Sequence, residues 1–116
     1  MNNKKETNDC ETAHEMAKIA AAALDDKKGL NIEILAVTDK TVLADYFVIA
    51  TGTSTTHVGA LADEAEFKLK EAGYEKRRTE GRSDWVLIDF HSVIVHVFTQ
   101  AAREFYKLEK LWGEEV

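Results

Sequence analysis

The chain has 116 residues, of which 45% are apolar and 31% are charged, and its formal net charge is −6. This length and apolar content fit one domain that buries its own core, and they are not typical of a disordered chain. A single cysteine, Cys10, excludes an internal disulfide and a thiolate-rich zinc site. The sequence has no apolar run near the roughly 20 residues that cross a bilayer, and no secretory signal. We therefore expect a cytoplasmic protein.

Hydrophobic periodicity predicts three helices and about five strands, in the order α-β-β-α-β-β-β-α. The polar residues 1–11 are expected to form a flexible tail, and the capping-box pattern of Thr12 and Glu15 predicts a helix start. The predicted elements are helices at 12–27, from about 57 to 72 and at 101–112, with strands at 31–38, 45–51, 74–79, 85–90 and 93–99. This order predicts one α/β domain over residues 12–116, built on a mixed five-stranded sheet.

Two connections in the second half have a distinct chemistry. Gly81 predicts a turn at 80–84, and His91-Ser92 predicts a tight hairpin between the last two strands, although Asn-Gly is the preferred pair there. The strand at 74–79 is short and charged, which is typical of a sheet edge.

The segment 51–55 (TGTST) lies between a predicted strand and a helix start. Its backbone N–H groups are candidates for holding a phosphate, but neither a Walker loop nor a G-x-G-x-x-G pattern is present. A nucleotidyltransferase would need paired carboxylates for magnesium, and the chain has no Asp-x-Asp. Helix capping is the favoured interpretation of these hydroxyl residues, and catalysis the less favoured one.

The histidines do not form a metal-binding pattern. His14-Glu15 begins like a zinc-protease helix, but Lys18 occupies the position of the second ligand. His91 and His96 have no third ligand spaced to join them, so a hydrogen-bonded structural role is the favoured interpretation. We expect no metal and no cofactor.

Asp89 interrupts an apolar strand, so its carboxylate must face solvent or be paired. The only dense positive cluster is Lys76-Arg77-Arg78 with Arg82. Protection of a sheet edge explains these charges as well as a minor contact with RNA does.

The strand at 85–90 carries the most informative pattern. Its alternating side chains divide into two sets: Val86, Ile88 and Phe90 on one face, and Trp85, Leu87 and Asp89 on the other. Three helices are few for both faces of a five-stranded sheet, so the Trp85 face would be partly bare if they crowd the opposite one. Such an apolar and aromatic patch would mark a partner site, and packing of Trp85 under a helix or loop is the alternative.

Three ordered sequence blocks resemble the ribosomal silencing factor (Iojap-like) family. They are residues 44–54 (ADYFVIATGTS) with His57-Val58, residues 80–89 (EGRSDWVLID), and the stretch from 95–98 (VHVF) to Trp112. The resemblance spans about residues 12–113. His91-Ser92 departs from the Gly-Asp that the family usually has in this hairpin.

The resemblance implies a translation repressor and not an enzyme. Family members bind the large ribosomal subunit through its ribosomal protein fourteen and sterically block joining of the small subunit, and they are often homodimers. Relatives in organelles are linked to assembly of the large subunit. The family fold is similar to that of nucleotidyltransferases without their catalytic carboxylates. The acidic charge of this chain would suit a basic ribosomal protein.

By this analogy, the expected partner-binding residues are Trp85, Leu87 and Asp89. The weaker candidates are Asp45, Tyr46, His96, Arg103 and Tyr106. Two alternatives stay open. One is a degenerate nucleotidyltransferase-like protein that binds a nucleotide, and the other is a large-subunit assembly factor that contacts RNA through the basic cluster.

Overall fold

Helices and strands follow one another in the predicted order. The computed structural model describes residues 2–38 and 44–107, with side chains from residue 12 onward. Its helices are α1 (Asn2–Asp26), α2 (Thr55–Glu71) and α3 (Gln100–Tyr106), and its strands are β1 (Leu30–Ala36), β2 (Tyr46–Gly52), β3 (Arg78–Arg82), β4 (Trp85–Asp89) and β5 (Val93–Thr99). The predicted α/β class is confirmed.

The strands form one mixed sheet in the order β1-β2-β5-β4-β3. Strands β2 and β5 are parallel, and α2 and the β3–β4 hairpin form the long connection that a parallel pair requires. The other three pairs are antiparallel. The predicted hairpin between β4 and β5 is therefore confirmed.

The helices are distributed unequally over the two faces of the sheet. The main core lies between the sheet and the pair α1 and α2, and it includes fully buried Leu24, Leu61, Leu69, Val95 and Val97. A smaller cluster on the opposite face includes Phe47, Ile49 and Phe98, and Ala102 of α3 packs on it. Because α3 has only 7 residues, it covers only part of this second face.

The predicted start of the first helix is wrong. Helix α1 begins at Asn2, so the segment expected as a flexible tail is helical from its second residue. Residues 2–11 contain no glycine or proline, and nothing in their composition stops helical geometry before Thr12. The capping-box residues Thr12 and Glu15 lie inside the helix.

The predicted bounds of β3 are also wrong. The strand occupies Arg78–Arg82 instead of 74–79, and the turn follows at Ser83 and Asp84. Gly81 belongs to the strand and pairs with Val86. It has a φ of +122°, and a Cβ there would lie 2.0 Å from the carbonyl oxygen of Trp85. Close backbone approach therefore explains this glycine, and the predicted turn around Gly81 is wrong.

The last helix ends earlier than predicted. Helix α3 ends at Tyr106, because Lys107 adopts the left-handed conformation and its N–H donates to the carbonyl of Arg103. A single helix through Trp112 is thus wrong at its end. Residues 108–112 of that prediction lie outside the described residues.

Candidate functional site

Among the described residues, α3 covers only part of the sheet face opposite α1 and α2, in agreement with the partly bare face that the sequence predicts. We call it the open face. Alternation in β4 places three predicted site residues on it: Trp85, Leu87 and Asp89. Strand pairing puts Phe98 opposite Trp85 and His96 opposite Leu87. It also brings Arg82 opposite Trp85 and Glu80 opposite Leu87 from the β3 edge.

Trp85 lies at the centre of an aromatic group on the open face. Its ring centroid is 4.9 Å from that of Phe98 and 4.5 Å from that of Tyr106. The indole N–H donates a hydrogen bond to Nδ1 of His96 over 3.2 Å. Trp85 is half-buried, so it is both packed under α3 and partly accessible. The sequence left open whether Trp85 is exposed to a partner or packed under a helix or loop. One side of the indole is packed and the other is accessible, so both descriptions apply.

A groove of about 280 Å³ opens beside this indole. We call it the Trp85 groove, and it is lined by Glu80, Gly81, Arg82, Asp84, Trp85, Leu87 and Tyr106. Tyr106 is 43% exposed. An aromatic and aliphatic wall with a charged rim is typical of a protein-binding surface. Glu80 and Asp84 were not among the predicted site residues, because their places at the groove follow from the pairing of β3 with β4.

His96 lies beneath Trp85 and is 4% exposed. Burial lowers the pKa of His96 from 6.5 to about 4, because a desolvated imidazolium is unfavourable. Since the indole can only donate, Nδ1 accepts and the ring proton of the neutral imidazole is on Nε2. Among the described residues, Nε2 has no hydrogen-bond partner. The imidazole also contacts Phe47 edge-on, with 4.9 Å between the ring centroids.

Asp89 is paired within the chain, which confirms one of the two predicted possibilities. It is 7% exposed, and its Oδ1 accepts a hydrogen bond from the backbone N–H of His91 at 2.8 Å. Its Oδ2 lies 3.9 Å from the guanidinium of Arg77 and 4.0 Å from that of Arg78. The carboxylate therefore stabilises the end of the β4–β5 hairpin and forms ion pairs with the guanidinium groups of Arg77 and Arg78.

Arg103 joins α3 to the sheet. Its side chain is buried, donates to the hydroxyl of Thr51 at 2.8 Å and to the carbonyl of Asn31, and lies 3.7 Å from a carboxylate oxygen of Glu33. These contacts hold α3 over β2 and β1. The structure thus places this predicted site residue under the helix, away from the Trp85 groove.

Asp45 and Tyr46 are not brought together with Trp85. Tyr46 begins β2 and packs against the core on the α1 and α2 side, with its ring 5.6 Å from that of His14. The carbonyl of Asp45 accepts a hydrogen bond from the N–H of Val37 at 2.9 Å. Of the eight predicted site residues, Trp85, Leu87, His96 and Tyr106 form one cluster, and Asp89 lies farther along β4.

The segment between β2 and α2 caps the helix, as predicted. Oγ of Ser54 accepts from the N–H of His57 at 3.0 Å, and the N–H of Thr53 donates to Nδ1 of the same histidine at 2.8 Å. His57 Nε2 lies 2.8 Å from the carbonyl of Lys27, to which it donates. The N–H groups of Thr53 and His57, which a phosphate would need here, are therefore already engaged, the first by the His57 imidazole and the second by the Ser54 hydroxyl. His57 was not among the predicted site residues.

Three members of the predicted basic cluster have partners nearby. Lys76 forms an ion pair with Glu66 at 3.0 Å, and Arg78 forms one with Glu80 at 2.7 Å. The guanidinium of Arg77 donates to Nδ1 of His91 at 3.0 Å. These contacts fit edge protection, and they reduce the charge available to a phosphate backbone.

The described ranges also bear on metal and membrane binding. Within residues 2–38 and 44–107, with side chains described from residue 12 onward, no group of three or more His, Cys, Asp or Glu side chains is arranged to hold a metal ion. In the same ranges, no helix has the length and apolar character needed to span a bilayer.

Comparison with known proteins gives consistent relatives. The family model described as "Ribosomal silencing factor during starvation" matches residues 10–116. A Bacillus subtilis protein named "Ribosomal silencing factor RsfS" is 43% identical over 99 residues, covering 84% of each chain. A mouse protein named "Mitochondrial assembly of ribosomal large subunit protein 1" is 38% identical over 73 residues, which are 59% of this chain and 32% of that one.

The fold has solved counterparts as well. A crystal structure of a Chromobacterium violaceum protein matches with a TM-score of 0.85 and 41% identity, covering 89% of this chain and 88% of the other. Sequence blocks, fold and relatives therefore agree, and the chain belongs to the ribosomal silencing factor family.

Proposed function

We propose that this protein silences translation by binding the large ribosomal subunit through ribosomal protein fourteen, so that the small subunit cannot join. Membership of the ribosomal silencing factor family supports a ribosome-associated role in silencing. The partner protein and the steric block extend that role, and we propose them together with a cytoplasmic location and a homodimeric state. In this proposal the protein is not an enzyme.

The Trp85 groove is the observation on which the proposal rests. The groove combines a half-buried tryptophan, an exposed tyrosine and a half-buried leucine with charged groups at its rim. Tryptophan and tyrosine are enriched among the residues that dominate binding energy at protein interfaces. A protein side chain or loop of matching shape would bury Trp85, Leu87 and Tyr106 together.

In the proposed mechanism the protein acts by occupying a site on the large subunit, without a covalent step. The net charge of −6 favours encounter with a basic protein surface, since complementary potentials speed association. Once seated through the open face, the body of the domain, with extents of 45 × 35 × 21 Å, would fill space that the small subunit needs. Asp89 contributes by holding Arg77 and Arg78 in place at the end of the face.

Gradient sedimentation tests the proposal. Purified large and small subunits are mixed with increasing protein, and we expect the fraction of joined ribosomes to fall while the protein co-sediments with the large subunit. Trp85→Ala should weaken this binding about thirtyfold or more, because truncation of an aromatic anchor typically costs about 2 kcal/mol. Phe67→Ala is the matched control, since Phe67 is a 54% exposed aromatic residue on α2.

A second variant separates binding from folding, because Trp85 also packs on α3. Leu87→Glu adds a negative charge to the groove, and Phe67→Glu adds the same charge on α2. We expect only Leu87→Glu to restore subunit joining. Joining that stays unaffected by the unmodified protein would overturn the silencing proposal, and normal binding by folded Trp85 and Leu87 variants would remove the groove from it.

A role in assembling the large subunit is the second candidate, since the mouse relative carries that role in its name. It predicts that loss of the protein leaves incomplete large subunits, whereas silencing predicts complete subunits and excess joining. Analysis of subunit composition after depletion distinguishes the two. The nucleotide-binding alternative has less support, because His57 engages the N–H of Thr53 and the hydroxyl of Ser54. Calorimetry with ATP, CTP and magnesium tests it.

A further inference from the structure

His96 is a polar residue at a position where an apolar one would pack with less cost. Its ring lies between Phe47 and Phe98, and it is 4% exposed. Within the described part of the chain its Nε2 has no hydrogen-bond partner. A buried donor without a partner is destabilising, whereas a phenylalanine would fill similar space without that cost. Packing alone therefore does not account for a histidine here.

In the described part of the chain, the interaction that an imidazole provides and a phenylalanine would not is the hydrogen bond with Trp85. The register of β4 and β5 pairs Trp85 with Phe98, so His96 is the diagonal neighbour of the indole on the same face. The distance from Trp85 Nε1 to His96 Nδ1 is 3.2 Å. An apolar side chain at this position would leave the half-buried indole N–H without this acceptor.

The bond selects an orientation for the indole. Ring packing against Phe98 and Tyr106 restrains the plane of Trp85, but stacking alone is compatible with either edge of the indole facing inward. A directional bond to a buried acceptor distinguishes the two edges, and it leaves the other edge toward the groove. An anchor ordered before binding loses less conformational freedom when its partner arrives.

We propose that His96 is a positioning residue, which holds Trp85 in the orientation that a partner protein recognises. This inference rests on the proposed function, which supplies the partner protein. The orientation of Trp85 is a property of the free protein and can be measured without the partner. His96 acts through Trp85 and does not touch the partner.

Two substitutions separate the acceptor from the volume of the ring. His96→Phe keeps an aromatic ring and removes the acceptor, whereas His96→Asn keeps an acceptor near the position of Nδ1 and removes the ring. We expect His96→Phe to weaken large-subunit binding by about threefold to tenfold, the range for losing the order of one side chain. Binding by His96→Asn should lie closer to that of the unmodified protein, although the smaller side chain lowers thermal stability.

A spectroscopic readout tests the orientation without ribosomes. The chain has two tryptophans, so Trp112→Phe leaves one indole N–H signal in a nitrogen–proton NMR spectrum. In that background, the Trp85 indole proton should exchange slowly with solvent, and His96→Phe should speed its exchange. His96→Asn should retain the slow exchange.

The outcomes are distinguishable from failure of the proposed function. If the unmodified protein does not bind large subunits, the proposed function fails, while the exchange rates still report on the orientation of Trp85. If the protein binds and folded His96→Phe binds equally well, the positioning role is overturned. Unchanged indole exchange in His96→Phe also overturns it. If His96→Asn does not fold, His96→Phe and the exchange measurement still decide.

Discussion

The guanidinium of Arg103 in α3 donates a hydrogen bond to the hydroxyl of Thr51 in β2 across 2.8 Å, and both residues are buried. The same side chain reaches the carbonyl of Asn31, so one residue connects α3 with two strands of the sheet. Because Tyr106 at the end of α3 packs on Trp85, the shape of the Trp85 groove depends on this connection.

Replacing Arg103 should therefore destabilise the domain. Arg103→Leu removes the donor and leaves the Thr51 hydroxyl and the Asn31 carbonyl without it. We expect the free energy of unfolding to fall by about 2 kcal/mol or more, measured by urea denaturation. Glu104→Ala, at an exposed position of the same helix, should change it by less than about 1 kcal/mol. Equal stability of the two variants would contradict the role assigned to Arg103.

Gly81 should tolerate no side chain. Gly81→Ala would place its Cβ 2.0 Å from the carbonyl oxygen of Trp85 at a φ of +122°, so the β3–β4 hairpin would have to shift. We expect a loss of at least about 2 kcal/mol in unfolding free energy together with weaker large-subunit binding. Gly59→Ala is the matched control, because nothing lies within 4 Å of its added Cβ in α2. That variant should be more stable than the unmodified protein by about 0.5–1 kcal/mol. Thermal denaturation should therefore show a lower Tm for Gly81→Ala and a higher Tm for Gly59→Ala.

The buried imidazole of His96 should make stability depend on pH. Its pKa is about 4 in the folded protein and 6.5 as the ordinary value, so the unfolded chain binds the proton more tightly. Its contribution to stability is complete above pH 6.5, falls as the pH drops toward 4, and totals about 3 kcal/mol. Urea denaturation between pH 7 and 4 measures the slope. His96→Phe should show a shallower slope than the unmodified protein, and parallel slopes would exclude His96 as the source.

At position 91, glycine should give a more stable protein than alanine, which is the opposite of their usual order inside helices and strands. The residue has a φ of +76°, a left-handed conformation that costs an L side chain about 1 kcal/mol. His91→Gly and His91→Ala both lose the contact of the imidazole with Arg77, so their difference reports the backbone alone. We expect the glycine variant to be more stable by about 1 kcal/mol in chemical denaturation. A more stable alanine variant would show that the hairpin relaxes out of this conformation.

Sequence reasoning succeeded where the pattern is local and repeated. The alternation from Trp85 to Asp89 identified the face of β4, and helical spacing with a hydroxyl cap identified α2. It failed at β3, where every residue is exposed and no apolar alternation marks the strand. A glycine that allows close backbone approach cannot be distinguished from a turn glycine without knowing its strand partner.

The site could be predicted only in part, because several of its contacts join residues that are distant in the sequence. Trp85 and Leu87 follow from one strand, but the rim of the groove needs the pairing of β3 with β4. The end of α3 depends on the left-handed Lys107, and helical periodicity through Trp112 gives no sign of it. The internal partners of Asp89 and Arg103 are similarly distant in sequence and become visible only in the folded chain.

The all-exposed strand β3 has a consequence for how copies of the protein meet. If two such edges paired antiparallel about their centres, Glu80 would face its own counterpart and Arg78 would face Arg82 of the second copy. Like charges directly opposite one another oppose pairing. The β3 edge, which lies beside the Trp85 groove, therefore disfavours edge-to-edge extension of the sheet from one copy of the protein to the next.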